Sequence, residues 1–216
     1  GKCHEKITRE YNESVHGLAV KNKNFDSPVC TDCHGEHNIS DPQAPNSPLA
    51  FQNVSEKICS PCHSSVRLSE RYGLAADRYS TFAESYHGLA LRGGSATVAN
   101  CGSCHGVHNI KSSSDPTSTV HKDNLVATCG SCHPGANENF TKGKIHVDYS
   151  DKENEPLLYW ISNIYIILIL VTIGFMLIHN MFDLYRKAKV KLLIRRGVIQ
   201  HKKHGHNLYL RMTKSE

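Results

Sequence analysis

The apolar positions of this chain fall into two regimes. Leu157 to Ile178 is an uncharged, strongly apolar run, and at about 1.5 Å per helical residue it is long enough to cross a hydrocarbon layer of about 30 Å. A transmembrane helix over 157–179 is predicted. Before it, apolar residues are scattered between stretches rich in Pro, Asn and Ser, such as Asp41–Pro48 and Ser112–Pro116, which read as loops. Within 65–83, Val66, Leu68, Tyr72 and Leu74 have roughly helical spacing. After the span, Leu184 to Arg196 alternates basic and apolar residues, as a helix lying on an anionic leaflet or a stop-transfer anchor would.

Hydrophobic residues make up 39% of the 216, too few for an ordinary large core once the span is set aside. The cysteines suggest what replaces it. Cys30-Thr31-Asp32-Cys33-His34, Cys59-Ser60-Pro61-Cys62-His63, Cys101-Gly102-Ser103-Cys104-His105 and Cys129-Gly130-Ser131-Cys132-His133 are four copies of Cys-x-x-Cys-His. In this motif two thiols form thioethers with haem vinyl groups and the adjacent His binds the iron. Cys3-His4 reads as the end of a fifth copy whose first Cys lies before residue 1, so the chain is read as a fragment. Disulfide frameworks and zinc ribbons do not place His after every second Cys. Five haem c groups are expected, and large macrocycles would serve as core for a loop-rich chain.

A repeat orders these motifs. Glu13–Ala19 matches Glu84–Ala90 around Ser-x-His-Gly, and Cys30–Ile39 matches Cys101–Ile110 around Cys-x-x-Cys-His-Gly-x-His-Asn-Ile, both at one and the same offset along the chain. The expected proximal ligands are His4, His34, His63, His105 and His133. The repeated histidines outside the motifs, His16, His37, His87, His108 and His146, match them in number as distal ligands. No methionine precedes Met176, so bis-histidine haems of low potential follow. His37 and His108 stand three positions from a proximal His and must therefore serve a neighbouring haem. His121, opposite Ala50 in the repeat, reads as a surface histidine, or as a ligand only if the chain upstream carries further haems. His179, at the end of the span, reads as an interfacial polar residue or a contact for haem b or quinone. His201, His204 and His206 read as a solvated loop.

Charge adds topology. Residues 1–156 hold 15 Lys and Arg against 18 Asp and Glu, a balance of −3, whereas 183–216 hold 10 against 2, a balance of +8. By the positive-inside rule the first part lies outside and the tail in the cytoplasm. The expected order is a periplasmic haem domain 1–148 (units about 1–58, 59–128 and a truncated 129–148), a linker 149–156, the span 157–179 and a basic cytoplasmic segment 180–216. The fold class is a mostly irregular and α-helical multihaem cytochrome c domain built around covalent haems, then one transmembrane α-helix and a basic tail.

The repeated blocks over 1–146 resemble those of membrane-anchored multihaem cytochromes of anaerobic respiratory bacteria. The ending Asn207–Glu216 is similar to the lead-in to a cytochrome-b-type domain in fused inner-membrane quinol dehydrogenases. That resemblance implies haem b in a further domain or partner. It also implies a quinone or quinol-oxidising subunit, a periplasmic redox partner and membership of a larger complex. The expected function is electron transfer between the quinol pool and periplasmic acceptors, with no nucleic-acid partner. The other classes are a reductase of nitrite, hydroxylamine or a sulfur oxyanion, which needs an open iron position, and a haem-bearing structural subunit.

Overall fold

The computed structural model describes residues 2–198. The histidines at 201, 204 and 206 and the ending from Asn207 lie outside the described residues. The chain divides into two compact units, 1–148 and the remainder from Tyr149, and the described residues are mostly helical, without strands.

In the first unit the helices are short: α1 (Glu5–Asn12), α2 (Val15–Lys21), α3 (Cys30–His34), α4 (Ser60–His63, continuing a π-helical turn from Ser55), α5 (Val66–Tyr72), α6 (Arg78–Glu84), α7 (Tyr86–Arg92), α8 (Cys101–His105) and α9 (Leu125–Gly130). The stretch 41–53 and its counterpart 112–124 form successive turns. Among the described residues the buried apolar side chains are Ala50, Leu68, Phe82 and Leu91, fewer than the buried polar ones, which include Ser14, Ser47, Ser55, Asn100 and Ser118. Such polar groups are tolerated only when hydrogen-bonded. Ser55 Oγ accepts from the Cys101 N–H at 3.1 Å, and Asn100 Nδ2 donates to the Phe51 carbonyl at 3.0 Å, so the start of α8 is pinned to the turn before α4.

The spacing in 65–83 predicted a helix, and α5 is one, capped by Ser65 and ended by Gly73 at φ 65°. Only Leu68 of the four apolar positions is buried; Leu74 follows the cap and lies off the helix. The polar edge of α5 ties it to the loop after α2. Tyr72 Oη donates to Asp26 Oδ2 at 2.6 Å, and Arg67 and Arg71 approach the same carboxylate at 3.2 and 2.9 Å. The Tyr72 hydroxyl first, then the arginines, hold this carboxyl below the usual range.

In the second unit a single helix, α10, runs from Pro156 to Arg195 over 40 residues, about 60 Å. Proline at its first turn lacks an N–H that would have been unpaired there anyway. The apolar run is long enough to cross a membrane. Its polar side chains bond within the helix, Asn163 Nδ2 to the Tyr159 carbonyl at 2.8 Å and Thr172 Oγ1 to the Leu168 carbonyl at 2.7 Å. The expected boundary at 179 is not a structural break, because the basic-apolar stretch from Leu184 continues the same helix. Asp183 pairs with Arg186 and Lys187 at 3.3 and 2.6 Å there.

Candidate functional site

The Ser-x-His-Gly blocks show why each residue is needed. Ser14 caps α2, its Oγ accepting from the Gly17 N–H at 3.1 Å and donating to the Tyr11 carbonyl at 2.6 Å. Ser85 does the same for α7, with Gly88 at 3.3 Å and Phe82 at 2.6 Å. The glycine lets the preceding helix press close. A Cβ on Gly17 would strike the Tyr11 carbonyl oxygen and lie 2.8 Å from Asn12 Cα, and one on Gly88 would strike that of Phe82 and lie 2.6 Å from Ala83 Cα. His16 and His87 are thus held in rigid helical corners.

The cysteine motifs are as tightly built. The Cys30 and Cys101 copies occupy α3 and α8, each little more than one turn long. Asp32 Oδ2 accepts from the Val29 N–H at 2.6 Å, and Asn100 and Ser103 exchange bonds of 2.9 and 3.1 Å at the start of α8. Gly35 and Gly106 follow at φ 80° and 75°, left-handed values that suit glycine and turn the chain toward His37 and His108. The Cys59 copy ends in α4, and the Cys129 copy begins in α9 and leaves it before Cys132. None of the nine cysteines is paired in a disulfide.

Across the unit, histidines meet in twos. His16 and His63 have ring centroids 6.2 Å apart, His34 and His108 6.1 Å, His87 and His133 6.1 Å, and His105 and His146 6.4 Å. Each pair joins one motif histidine to one outside the motifs. A metal–imidazole bond is about 2 Å and a ring centroid lies about 1.1 Å beyond its nitrogen, so two imidazoles on opposite sides of one metal ion stand about 6.2 Å apart. Direct stacking would bring them closer. Among the described residues no three of His, Cys, Asp and Glu converge as a zinc-type site would require; two imidazoles per centre is the axial set that haem iron accepts. The donor set fits haem c.

No family model, curated protein or solved structure matches the chain.

Electrostatics agree with ligand chemistry. Burial lowers the pKa of His16, His63, His34, His87, His105 and His146, with smaller contributions from facing or neighbouring histidines and from Arg78. These rings are kept neutral, as metal ligation requires. His146 is also oriented. Thr81 Oγ1 donates to the Asp77 carbonyl at 2.7 Å, so its oxygen accepts from His146 Nδ1–H at 3.1 Å and the lone pair remains on Nε2.

The cysteine motifs neighbour one another in chain order. Burial pushes Cys33 up, with smaller contributions from Asp32 and the neighbouring Cys62, and burial pushes Cys104 up, with smaller ones from the neighbouring Cys129 and Cys132. Cys59 and Cys101 share a thiol–thiol hydrogen bond that pushes Cys59 up and lowers Cys101 to about 7. His4 lies near enough to His34 to lower it.

Not every expected ligand is paired. Among the described residues no histidine ring faces His4 or His37. His121, expected at the surface, is a correction. Its side chain is only 12% exposed, because it fills the place of the buried Ala50, and its Nδ1 accepts from the Asp123 N–H at 3.3 Å. His179 is exposed on α10. The sequence reading passed over Thr81. It also passed over Asn53 and Asn124, equivalent positions of the repeat, whose side chains hold the turns before the Cys59 and Cys129 motifs. Each donates to two carbonyls, of Pro45 and Ser47 at 3.0 and 2.8 Å, and of Pro116 and Ser118 at 2.8 and 2.8 Å. Proline, serine and asparagine matching between the two copies were the available signal.

Proposed function

We propose that residues 1–148 form a periplasmic multihaem c-type electron-transfer domain, anchored in a bacterial inner membrane by α10 with its basic end in the cytoplasm. The observation that carries this reading is the set of four histidine pairs at 6.1–6.4 Å, each beside a Cys-x-x-Cys-His motif.

When bound, haem supplies a one-electron couple at each site. The chain does the rest. Cys30 and Cys33, Cys59 and Cys62, Cys101 and Cys104, and Cys129 and Cys132 would hold four macrocycles through thioethers, with Cys3 contributing to a fifth. The imidazoles of His16 and His63, His34 and His108, His87 and His133, and His105 and His146 would hold the iron of each group from two sides, which would leave no site for a small-molecule substrate and favours electron transfer over catalysis. Ligation by two histidines, with no methionine before Met176, would give low potentials. Haems held by these motifs would supply one-electron carriers at sites that neighbour one another along the chain. The charge contrast across α10, −3 over 1–156 and +8 over 183–216, supports the outward orientation.

The test is anaerobic addition of a menaquinol analogue to the detergent-solubilised native protein, following the c-haem α band with and without a quinol-site inhibitor. Inhibitor-sensitive reduction is expected. Reduction by dithionite but not by quinol would overturn the quinol-linked role, and no haem in a pyridine haemochrome assay would overturn the reading entirely. One observation favours the reductase alternative, namely the lack of a facing histidine at His4 among the described residues.

A further inference from the structure

The two copies of the Cys-x-x-Cys-His-Gly-x-His-Asn-Ile block share a pattern but differ in surroundings. In the second copy His108 faces His34 at 6.1 Å, and the Ile110 carbonyl accepts from the Val15 N–H at 2.8 Å. Val15 opens α2 in the Ser-x-His-Gly block of the first unit, so the second block is seated on the first unit. In the first copy the equivalent positions are bare. The His37 side chain is 96% exposed, with Glu36 at 3.9 Å as its nearest ionic neighbour, and Ile39 is 68% exposed.

Three of the four joins between units follow a pattern, whereas the fourth, His105 to His146, runs from a second motif to the histidine after the next unit's first motif. The Ser-x-His-Gly histidine of one unit meets the first motif of the next: His16 meets His63, and His87 meets His133. The histidine after the second motif reaches back one unit, as His108 does to His34. Shifted back by one repeat length, the first join requires a Ser-x-His-Gly histidine opposite His4, and the second requires a Cys-x-x-Cys-His motif opposite His37. Both vacant positions, reached independently, require the same object.

We propose that one further unit of this repeat, placed ahead of residue 1 in the same polypeptide, docks on the face carrying His37 and Ile39. It supplies the axial ligand opposite His4 and takes His37 as the axial ligand of its own second haem. The same polypeptide is the source because all four histidine pairs link units consecutive in sequence. The Ile39 carbonyl accepts a backbone hydrogen bond from that unit, as Ile110 does from Val15. This inference rests on the haem reading above, and haem stoichiometry separates the two: a native protein without covalent haem fails that reading, whereas the outcomes below presuppose haem.

The experiment is electron paramagnetic resonance and intact-mass analysis of the full native polypeptide and its variants. The unsubstituted chain is expected to extend ahead of residue 1 through at least one more Ser-x-His-Gly and Cys-x-x-Cys-His pair, and to have its His4 haem low-spin. His37→Ala is expected to convert one haem to high-spin with haem count unchanged. That signal should persist when Cys3→Ala and His4→Ala are added and the mass shows loss of one haem. Because His37 is exposed, the substitution leaves packing intact; His37→Met should restore a low-spin centre and raise one potential, which a structural role would not do. Four results overturn the proposal: no high-spin signal in His37→Ala, disappearance of that signal on removing the His4 haem, a high-spin His4 haem in the unsubstituted protein, and a native chain lacking such a unit. The third would favour the reductase reading.

Discussion

The first unit and α10 both leave apolar surface uncovered by protein, for opposite reasons. In α10 the exposed side chains, among them Ile166, Leu170 and Phe175, surround an uninterrupted hydrogen-bonded helix, which is what a bilayer demands of a spanning segment. In the first unit Leu18, Val66, Leu89 and Val107 are exposed on or beside the short helices that carry the histidine pairs. Its enclosed positions are mostly serine, threonine and asparagine, which set backbone geometry and add little hydrophobic burial. One segment is complete without partners of its own kind, since the helix satisfies its own backbone. The other is a frame of turns and caps that on our reading needs covalently held macrocycles as its core.

Removing haem should break that contrast most sharply. Expressed without c-type maturation, or with Cys59→Ala, Cys62→Ala, Cys101→Ala and Cys104→Ala together, the first unit is expected to lose cooperative thermal unfolding and become protease-sensitive. α10 is expected to stay membrane-inserted. Circular dichroism with protease mapping of membranes checks both halves, and a cooperatively folding haem-free domain would refute the idea that haem supplies the core.

A paired glycine substitution sharpens it at smaller scale. An alanine Cβ at Gly88 meets the Phe82 carbonyl and the Ala83 backbone, whereas one at Gly174 in α10 meets nothing within 4 Å. Gly88→Ala is expected to cost about 1–3 kcal/mol through forced backbone movement and to perturb the centre held by His87 and His133. Gly174→Ala is expected to leave insertion and haem spectra unchanged. Thermal melts and low-temperature electron paramagnetic resonance of the two variants decide it; equal effects would mean that Gly88 is not held by close approach.

Much of the site was legible because its chemistry is local. Cys-x-x-Cys-His is a run of consecutive positions, and Ser-x-His-Gly packs a cap, a paired histidine and a close-packing glycine into a single helical turn, so both survive as patterns in a loop-rich chain. The facing partner of each histidine was not legible. His34 and His108 lie in different copies of the repeat, and their meeting depends on how whole units are seated. His121 was read as a surface residue because Ala50, not a histidine, stands at its place in the first copy; that Ala50 is buried, and with it the position that His121 fills, is set by the turns around it and is not legible in the residue types. That the helix runs on past the apolar stretch was not legible either, because charge marks where a membrane would end, and Asp183, Arg186 and Lys187 satisfy one another without breaking the helix.

Thr81 offers a finer probe of the frame. Thr81→Val keeps the shape and removes the oxygen that accepts from His146 Nδ1–H. The loss of this buried bond is expected to cost about 1 kcal/mol and to change the g-values and potential of a single low-spin haem, the one held by His105 and His146. Redox titration monitored by electron paramagnetic resonance reads this directly. If all haems shift together, or none does, Thr81 does not orient that ligand.

The smallest effect belongs to the polar tie between the loop after α2 and α5. Asp26 is held below the unfolded carboxylate value of about 3.9 by the Tyr72 hydroxyl, Arg67 and Arg71. A lowered folded pKa contributes stability that is present above the unfolded value and lost as pH falls through the folded one. Asp26→Asn should therefore lower the melting midpoint of the haem-loaded protein slightly at pH 7, and the difference from the unsubstituted protein should shrink steadily from about pH 4 downward. The carboxylate is solvent-accessible, so screening keeps the effect small and added salt should reduce it further. In α10 the corresponding carboxylate stays within its own helix: among the described residues Asp183 pairs with Arg186 and Lys187, three and four positions on. Asp183→Asn should accordingly leave the midpoint of the first unit unchanged at every pH. A midpoint that moved with Asp183, or an Asp26→Asn difference that grew on acidification, would show that the tie between Asp26 and α5 is not what the carboxylate stabilises.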